Sequence, residues 1–287
     1  MFEGPVLHAM IFTFQNNEDL DYEVKVNISD SLYGESTFIP SSFFKDKQQC
    51  VFSIREYKYE NFYAKLRKDC VNLQSVIDIR QAIKTGNDKV YLSDIAFEDN
   101  YKPILRGKDI QRYYYRDPHI YVDYGSHLAC PRSAAIFEQP KILIREAGAK
   151  ITATYDDNNY YIMSSLYNAI LIDKDFDLKY ILALLNSKLY QFLMNKITFE
   201  KTKGAFTKAK IFHYYQLPVK KMDKQYVFVN LVNRIIDAYK TNNHEILSLE
   251  NHIDICVFKL YELTYDEVRM IDENIQISEE DYNQFKL

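Results

Sequence analysis

The hydrophobic pattern of the chain changes period along its length. Near the N-terminus the period is 2. Residues Tyr22 to Ile28 read Tyr-Glu-Val-Lys-Val-Asn-Ile, the alternation of a half-buried strand. The apolar run from Val6 to Phe14 precedes it across Asn16-Asn17-Glu18-Asp19, so the two are expected to form a hairpin. Phe38 to Phe44 contains Pro40 and two serines and is expected to be irregular. A short amphipathic helix is expected over Asn61 to Lys68, then strand-and-turn structure over Val71 to Ala82. Thr85-Gly86-Asn87-Asp88 is turn chemistry, because Gly and Asn accept positive φ, and a strand is expected from Lys89 to Leu92. Pro103 to Leu105, His119 to Tyr124, Lys141 to Arg145 and Leu166 to Ile172 read as extended. Gly107 to Ile110 reads as a turn or a single helical turn. Lys150 to Tyr155 and Tyr160 to Ser164 read as a hairpin around Asp156-Asp157-Asn158-Asn159.

After Asp177 the period becomes 3.6. Leu178, Ile181, Leu182, Leu185, Leu189, Phe192 and Leu193 fall on one face of a helix expected from Asp177 to Lys196. Asp175 or Asp177 would cap it. Two more helices are expected, Tyr226 to Tyr239 and His244 to Leu263, joined at Thr241-Asn242-Asn243 as an antiparallel pair. The fold class is therefore α+β. N-terminal strands occupy 1–65, a mixed β domain with a helix occupies 66–222, and a helical spacer or packing segment occupies 223–287. There is no internal repeat.

With 47% hydrophobic and 15% aromatic residues, the 287-residue chain can bury a sizeable core. Its 25 tyrosines read as half-buried strand and interface surface. The net charge of −4 hides an uneven distribution. Residues 102–116 carry five Lys/Arg and one acid, as do residues 196–210, whereas 262–287 carry eight acids. An acidic tail can mask a basic footprint in the average. Cys50, Cys70, Cys130 and Cys256 are scattered, with no C-x-x-C pair, which argues against a structural zinc site or a disulfide framework. No basic leader or long apolar run is present in the sequence, so a cytoplasmic location and no membrane partner are expected.

Catalytic motifs are missing. There is no Pro-Pro, no Gly-x-Gly and no Gly-Lys-Ser/Thr in the sequence, so neither a base-clamping methyltransferase loop nor a phosphate loop is present. Asp46 with Glu56 and Lys58 fits a loose nuclease spacing that also arises by chance. The six histidines are scattered. No catalytic residue, metal ligand or cofactor is assigned to this chain.

What chemistry there is suits nucleic acid. Arg106, Lys108, Arg112 and Arg116 are interleaved with Tyr113-Tyr114-Tyr115. Arginine can bond guanine bidentately, lysine holds phosphate, and tyrosine can donate to phosphate. Lys201, Lys203, Lys208 and Lys210 flank Gly204 in a second basic loop. Lys84, Thr85, Asn87 and Lys89 lie in or beside the turn after Ile83, Arg132 follows Cys130-Pro131, and Arg145 ends a strand. The candidate DNA contacts are thus Lys84, Thr85, Asn87, Lys89, Arg106, Lys108, Arg112, Arg132, Arg145, Lys203 and Lys208. The alternative is a protein assembly module, in which the helical pair docks on a partner and the basic loops are solvated surface.

Several segments carry a family resemblance: Ile83-Lys84-Thr85-Gly86-Asn87-Asp88-Lys89, Leu105-Arg106-Gly107-Lys108-Asp109-Ile110, Lys141-Ile142-Leu143-Ile144-Arg145, Tyr160 to Tyr167, and Leu184-Leu185-Asn186-Ser187-Lys188-Leu189. In this order, from about Leu66 to Leu263, they resemble the TaqI-like C-terminal specificity domain of fused restriction–methylation enzymes. The resemblance implies a mixed β domain that inserts loops into the DNA major groove, followed by packing helices. It implies double-stranded DNA as partner, together with an adenine methyltransferase and nuclease elsewhere in the same enzyme. S-adenosylmethionine and Mg²⁺ would then serve only those catalytic domains. Met1 to Gln15 looks like the last strands of a methyltransferase domain, so the chain is expected to be a C-terminal fragment or a truncated product. Ala82-Ile83-Lys84 and the short Tyr124 to Pro140 connection depart from the family pattern, so the target bases are not inherited.

Overall fold

The computed structural model describes residues 22–27, 36–45, 60–197, 209–241 and 243–287. The chain divides into two compact units, 1–64 and 65–287. In the first unit, β1 (Glu23–Asn27) pairs antiparallel with β2 (Ser36–Pro40), and α1 (Ser41–Lys45) follows directly. The partner of β1 therefore comes from the segment expected to be irregular. Pro40 is tolerated because, among the described residues, β2 pairs on one side only. Ile39, Phe43 and Phe44 bury against Val26. The expected strand Val6 to Phe14, the turn after it, and Asp46 and Glu56 to Lys58 lie outside the described residues.

The second unit begins within α2 (Glu60–Arg67) and continues through β3 (Cys70–Asn72), β4 (Ile77–Gln81), a helical turn α3 (Asp88–Tyr91) and β5 (Leu92–Ser93). Then come β6 (Tyr101–Leu105), β7 (Ile110–Gln111), β8 (Tyr114–Tyr115), β9 (Tyr121–Asp123), β10 (Lys141–Arg145), β11 (Ala153–Asp156), β12 (Tyr161–Ile162) and β13 (Leu166–Leu171). Helices α4 (Leu178–Asn186), α5 (Lys188–Ile197) and α6 (Ile211–Tyr215) lead to β14 (Pro218–Lys220). Helices α7 (Tyr226–Lys240), α8 (Ile246–Leu260), α9 (Tyr265–Ile271) and α10 (Glu279–Gln284) complete the chain. The class is α+β.

Two four-stranded sheets make the β layer. One has the order β11-β10-β13-β4, all antiparallel, and the other β12-β6-β9-β5, with β12 parallel to β6. Leu143 of β10 joins Ile104, Leu105, Val122, Ile162 and Leu166 in the core between them. Helix α4 packs on β10 and β11. Lys141, Ile142, Leu143 and Ile144 are therefore all buried, the continuous burial of a strand covered on both faces. Lys141 at the start of this run pairs with Asp156, its cross-strand neighbour on β11, and neither side chain is exposed. The Lys141 ammonium also donates to Phe137 O at 2.6 Å. Desolvation pulls its pKa below the usual lysine value against the attraction of Asp156.

The structure departs from three of the expected elements. The expected strand from Lys89 to Leu92 is mostly the helical turn α3, because Val90 and Tyr91 both donate to Asn87 O at 3.1 Å. The expected hairpin around Asp156 to Asn159 does not form. Its first arm, β11, pairs with β10, while its second, β12, joins the other sheet beside β6. The Asp156 carboxylate turns the chain between them, accepting from Asn158 N at 3.1 Å and Tyr160 N at 3.2 Å. Finally, the long helix expected from Asp177 breaks at Ser187. Asp177 does cap α4, accepting from Lys179 N at 2.7 Å. Ser187 is extended, with φ −71° and ψ 155°.

The break explains the Leu-Leu-Asn-Ser-Lys-Leu segment. Asn186 exchanges hydrogen bonds with Ala153, donating to its O at 2.9 Å and accepting from its N at 3.1 Å. Its side chain thus continues the sheet edge. Ser187 Oγ donates to Leu184 O at 2.7 Å, and Lys188 N donates to the Asp254 carboxylate of α8 at 2.8 Å. Burial raises the Asp254 pKa from 3.8 to about 6, despite the opposing pull of Lys188. The apolar faces of α7 and α8 cover α4 and α5 of the same chain. Tyr180, Tyr190 and Tyr261 are buried in this helical layer, their hydroxyls donating to the carbonyls of Lys220 or Pro218. Part of the tyrosine excess is therefore core, beyond the half-buried surface expected. The acidic tail contributes α9 and α10, whose Tyr282 is buried. No described helix is long and apolar enough to cross a membrane.

Candidate nucleic-acid interface

Two loops of the second unit converge on one short segment, Ile162 to Ser165. The first is the turn after Ile83. Ile83 N donates to Ile162 O at 3.1 Å and Ser164 N to Ile83 O at 2.8 Å. On its other side Lys84 exchanges backbone hydrogen bonds with Cys130, at 3.1 and 2.9 Å, and Ala129 N donates to Thr85 O. Gly86 sits at φ +86°, where a Cβ would lie 3.1 Å from the Ala129 methyl, so glycine meets both the backbone and the packing requirement. Thr85 is buried, and its hydroxyl donates to the Asp88 carboxylate. Lys84, Asn87 and Lys89 are exposed, and neither lysine has an ion-pair partner among the described residues. Arg132, at φ +65° on the neighbouring loop, donates to Ala82 O at 3.3 Å and to Gln81 Oε1 at 3.2 Å.

The second loop is Leu-Arg-Gly-Lys-Asp-Ile. Leu105 O accepts from Met163 N at 2.9 Å, which places this loop against the same segment. Gly107 N donates to Ser165 Oγ at 2.8 Å, and a Cβ on Gly107 would meet Ser165 O at 3.1 Å. Buried Asp109 accepts from Arg106 N at 2.7 Å and lies 3.6 Å from its Nε. Leu105 and Ile110 enter the core. Lys108 is the exposed side chain of the motif's centre. Arg145, from β10, reaches under the loop and donates to Gly107 O at 2.8 Å and to Ile110 O. Gly107, Lys108, Arg145, Glu146, Ala147 and Ser165 line an open depression of about 420 Å³.

Arg112 is placed elsewhere. It lies with Tyr113 at the tip of the β7–β8 hairpin, where Tyr113 takes φ +62° and its ring is buried. The Arg112 guanidinium donates to Asn186 O and lies 3.5 Å from Glu250 of α8. It ties the β layer to the helices. Lys203 and Lys208 lie outside the described residues. The first described residue after them, Ala209, accepts from Tyr167 OH at 3.2 Å, and the same hydroxyl bonds Glu146 beside the depression.

The structure thus brings Lys84, Asn87, Lys89 and Lys108 out on two loops fixed to one segment, and holds Thr85, Arg106, Arg112, Arg132 and Arg145 in intramolecular bonds. Sequence reading passed over Arg80. It lines a second groove of about 310 Å³ with Ile79, Gln81, Arg132, Ser133, Ile136 and Ile211. Nothing local marks it, since it is a single charged residue alternating along a strand. Among the described residues no group of three His, Cys, Asp or Glu side chains could hold a metal ion.

Residues 102–219 match the TaqI-like C-terminal specificity domain. No curated protein matches the chain. Solved structures similar to it include the type IIL restriction-modification enzyme MmeI in complex with DNA, 11% identical, with 94% of this chain and 42% of that chain covered and a TM-score of 0.49. The type IIG restriction endonuclease BpuSI is 12% identical, with 85% and 36% covered and a TM-score of 0.44. The HsdS subunit from Thermoanaerobacter tengcongensis is 14% identical, with 78% and 60% covered and a TM-score of 0.39. The chain spans less than two thirds of the length of each.

Proposed function

Because the chain carries a specificity domain of the restriction–modification type over residues 102–219, we propose that it reads a double-stranded DNA sequence and positions an adenine methyltransferase, with or without a nuclease, supplied by other domains of the same enzyme. S-adenosylmethionine and Mg²⁺ belong to those domains. The observation that supports DNA contact most directly is the pair of rigid loops on Ile162 to Ser165, which present Lys84, Asn87, Lys89 and Lys108. Loops pinned by backbone hydrogen bonds lose little entropy on binding, so their side chains can discriminate between bases. Lys84, Lys89 and Lys108 neutralise phosphates, Asn87 faces a base edge, and Lys203 and Lys208 add phosphate contacts. Arg106, Arg132 and Arg145 shape the loops, and Arg112 holds the β layer to the helices.

The test is selection from a randomised duplex pool at two salt concentrations. The chain should enrich a motif of several base pairs that survives the higher salt. Lys84→Gln with Lys89→Gln should weaken binding to all sequences and lower the salt slope by about 0.9 per lysine. Absence of any DNA binding at either salt would abandon this reading for an assembly module.

A further inference from the structure

The loop that follows β5 ends in a tip that is both apolar and acidic. Ile95 and Phe97 are 62% and 67% exposed. Asp94, Glu98 and Asp99 beside them are exposed and have no ion-pair partner among the described residues. No cation lies between residues 94 and 99. The tip therefore repels phosphate and suits a partner surface that is apolar and cationic. The sheet beneath orders the loop. Ser93 Oγ accepts from Ile95 N at 3.0 Å, and Tyr101 N donates to Glu98 O at 3.0 Å. The Phe97 ring meets Tyr101 edge-on at 5.4 Å. A projection fixed in this way loses little entropy on docking.

A surface of the opposite charge lies on the same chain, at β4, an edge strand of the other sheet. It is the groove of about 310 Å³ in which Ile79, Ile136 and Ile211 meet Arg80 and Arg132. Both arginines are exposed. Phe212, which follows Ile211 in the chain, is 54% exposed. The groove is closed to an added strand at Ile79. Ile79 N donates to the Tyr215 hydroxyl at 3.0 Å, and Ile79 O accepts from it at 3.2 Å. Ala82 O is taken by Arg132. With these edge groups occupied, the groove offers side chains to a partner and suits a projecting loop. Arg80 pairs with Asp78 at 2.6 Å, but its side chain is half exposed. An exposed pair of this kind is worth little, so Arg80 can turn to an incoming carboxylate. Arg132 bonds only neutral oxygens, those of Ala82 and Gln81, and has no ion-pair partner among the described residues.

We infer that the chain associates with a second copy of itself, the 94–99 tip of one copy seating in the β4 groove of the other. Ile95 and Phe97 pack against Ile79, Ile136 and Ile211, and the three carboxylates face Arg80 and Arg132. Charge complementarity selects this occupant. An apolar anionic projection and an apolar cationic groove stand on one molecule, so every copy carries both halves of the contact. The contact joins two different patches, which makes it heterologous. A loop tip in a groove of this size is a small interface, below the roughly 1,200 Å² of stable ones, so the association is weak, with a Kd of about 10–100 μM. The inference does not rest on DNA reading and is tested without DNA, so either can fail alone.

Sedimentation equilibrium of the whole chain and of two charge-reversed variants tests it. One variant is Asp94→Lys with Glu98→Lys, and the other is Arg80→Glu. All three positions are exposed, so both variants should melt with the parent. The parent's average mass should rise with concentration between about 5 and 500 μM. Each variant alone should associate at least about 10-fold more weakly, because like charges then face each other across the contact. Mixed in equal amounts, the two variants should associate about as strongly as the parent. The cationic tip of one then meets the reversed groove of the other, and the unaltered tip meets the unaltered groove. A parent that stays monomeric over this range overturns the inference. Association that neither variant weakens also overturns it, since the contact would lie elsewhere on the chain. A mixture no stronger than the separate variants overturns the pairing of tip with groove.

Discussion

Replacing Arg145 by alanine separates a loop-shaping role from a phosphate contact. Arg145 donates two charge-assisted hydrogen bonds, to Gly107 O and Ile110 O, from β10 to the Arg106–Asp109 loop. Such bonds contribute roughly 1.5–3 kcal/mol each. Both carbonyl residues are buried, but the guanidinium is half-buried and its depression is open, so water can take over part of the bonding. The expected loss is therefore about 2–4 kcal/mol of stability. Arg145→Lys, which can reach one carbonyl but not fork to two, should lose about half as much. Urea unfolding measures the loss, and amide exchange over residues 105–111 localises it. In DNA selection, Arg145→Ala should blur the motif while leaving the salt slope unchanged. A wild-type urea midpoint with an equally protected loop would refute the bracing role. A slope lowered by about 0.9 with the motif intact would instead make Arg145 a phosphate contact.

Two further predictions concern the buried charges. Lys141→Met should cost about 3–5 kcal/mol, because it keeps the side-chain volume and strands the Asp156 carboxylate. Adding Asp156→Asn should recover part of that, and a double-mutant cycle by urea unfolding that gives a coupling near zero would show that the pair is not an energetic unit. Asp254 sets a pH dependence. Its native pKa of about 6 lies above 3.8, so the folded state binds the proton more tightly. Stability should fall as pH rises from about 4 to 6, by up to roughly 3 kcal/mol, and stay flat above that. Asp254→Asn should remove this slope and gain about 1–2 kcal/mol at pH 8, less than the full amount because Lys188 loses one of its two carboxylates. Thermal melts from pH 4 to 8 that run parallel for the two proteins would contradict this.

How much was legible in the sequence depends on the range of the interaction. Strands β1, β10 and β13 and helices α7 and α8 were read correctly because burial on one or both faces writes a period into neighbouring residues. The cap at Asp177 and the turn at Gly86 are also local, since each satisfies backbone needs within a few residues. The order of the Leu-Arg-Gly-Lys-Asp-Ile and Leu-Leu-Asn-Ser-Lys-Leu segments pointed to the specificity domain that residues 102–219 match. Pairing was not legible. Whether β11 meets β12 or β10 is decided by Lys141 opposite Asp156 and by Asp156 turning the chain. The Lys141–Asp156 contact joins residues on different strands and leaves no periodic trace. The break at Ser187 was hidden for the same reason, because helical spacing continues through it. Asn186 finds Ala153, and Lys188 finds Asp254, only once the sheet and α8 are in place.

The same division runs through the site. Sequence by itself located the basic segments and their residue types. It could not distinguish Lys108 from Arg112, which lie four residues apart in one charged cluster. Tertiary structure separated them: Lys108 projects beside Ser165, while Arg112 is held by Asn186 O and Glu250. A charge's availability for a ligand depends on which acceptors the fold brings within hydrogen-bond reach. For these arginines the acceptors are backbone carbonyls and carboxylates up to 138 residues away, Glu250 being the most distant from Arg112 in the chain.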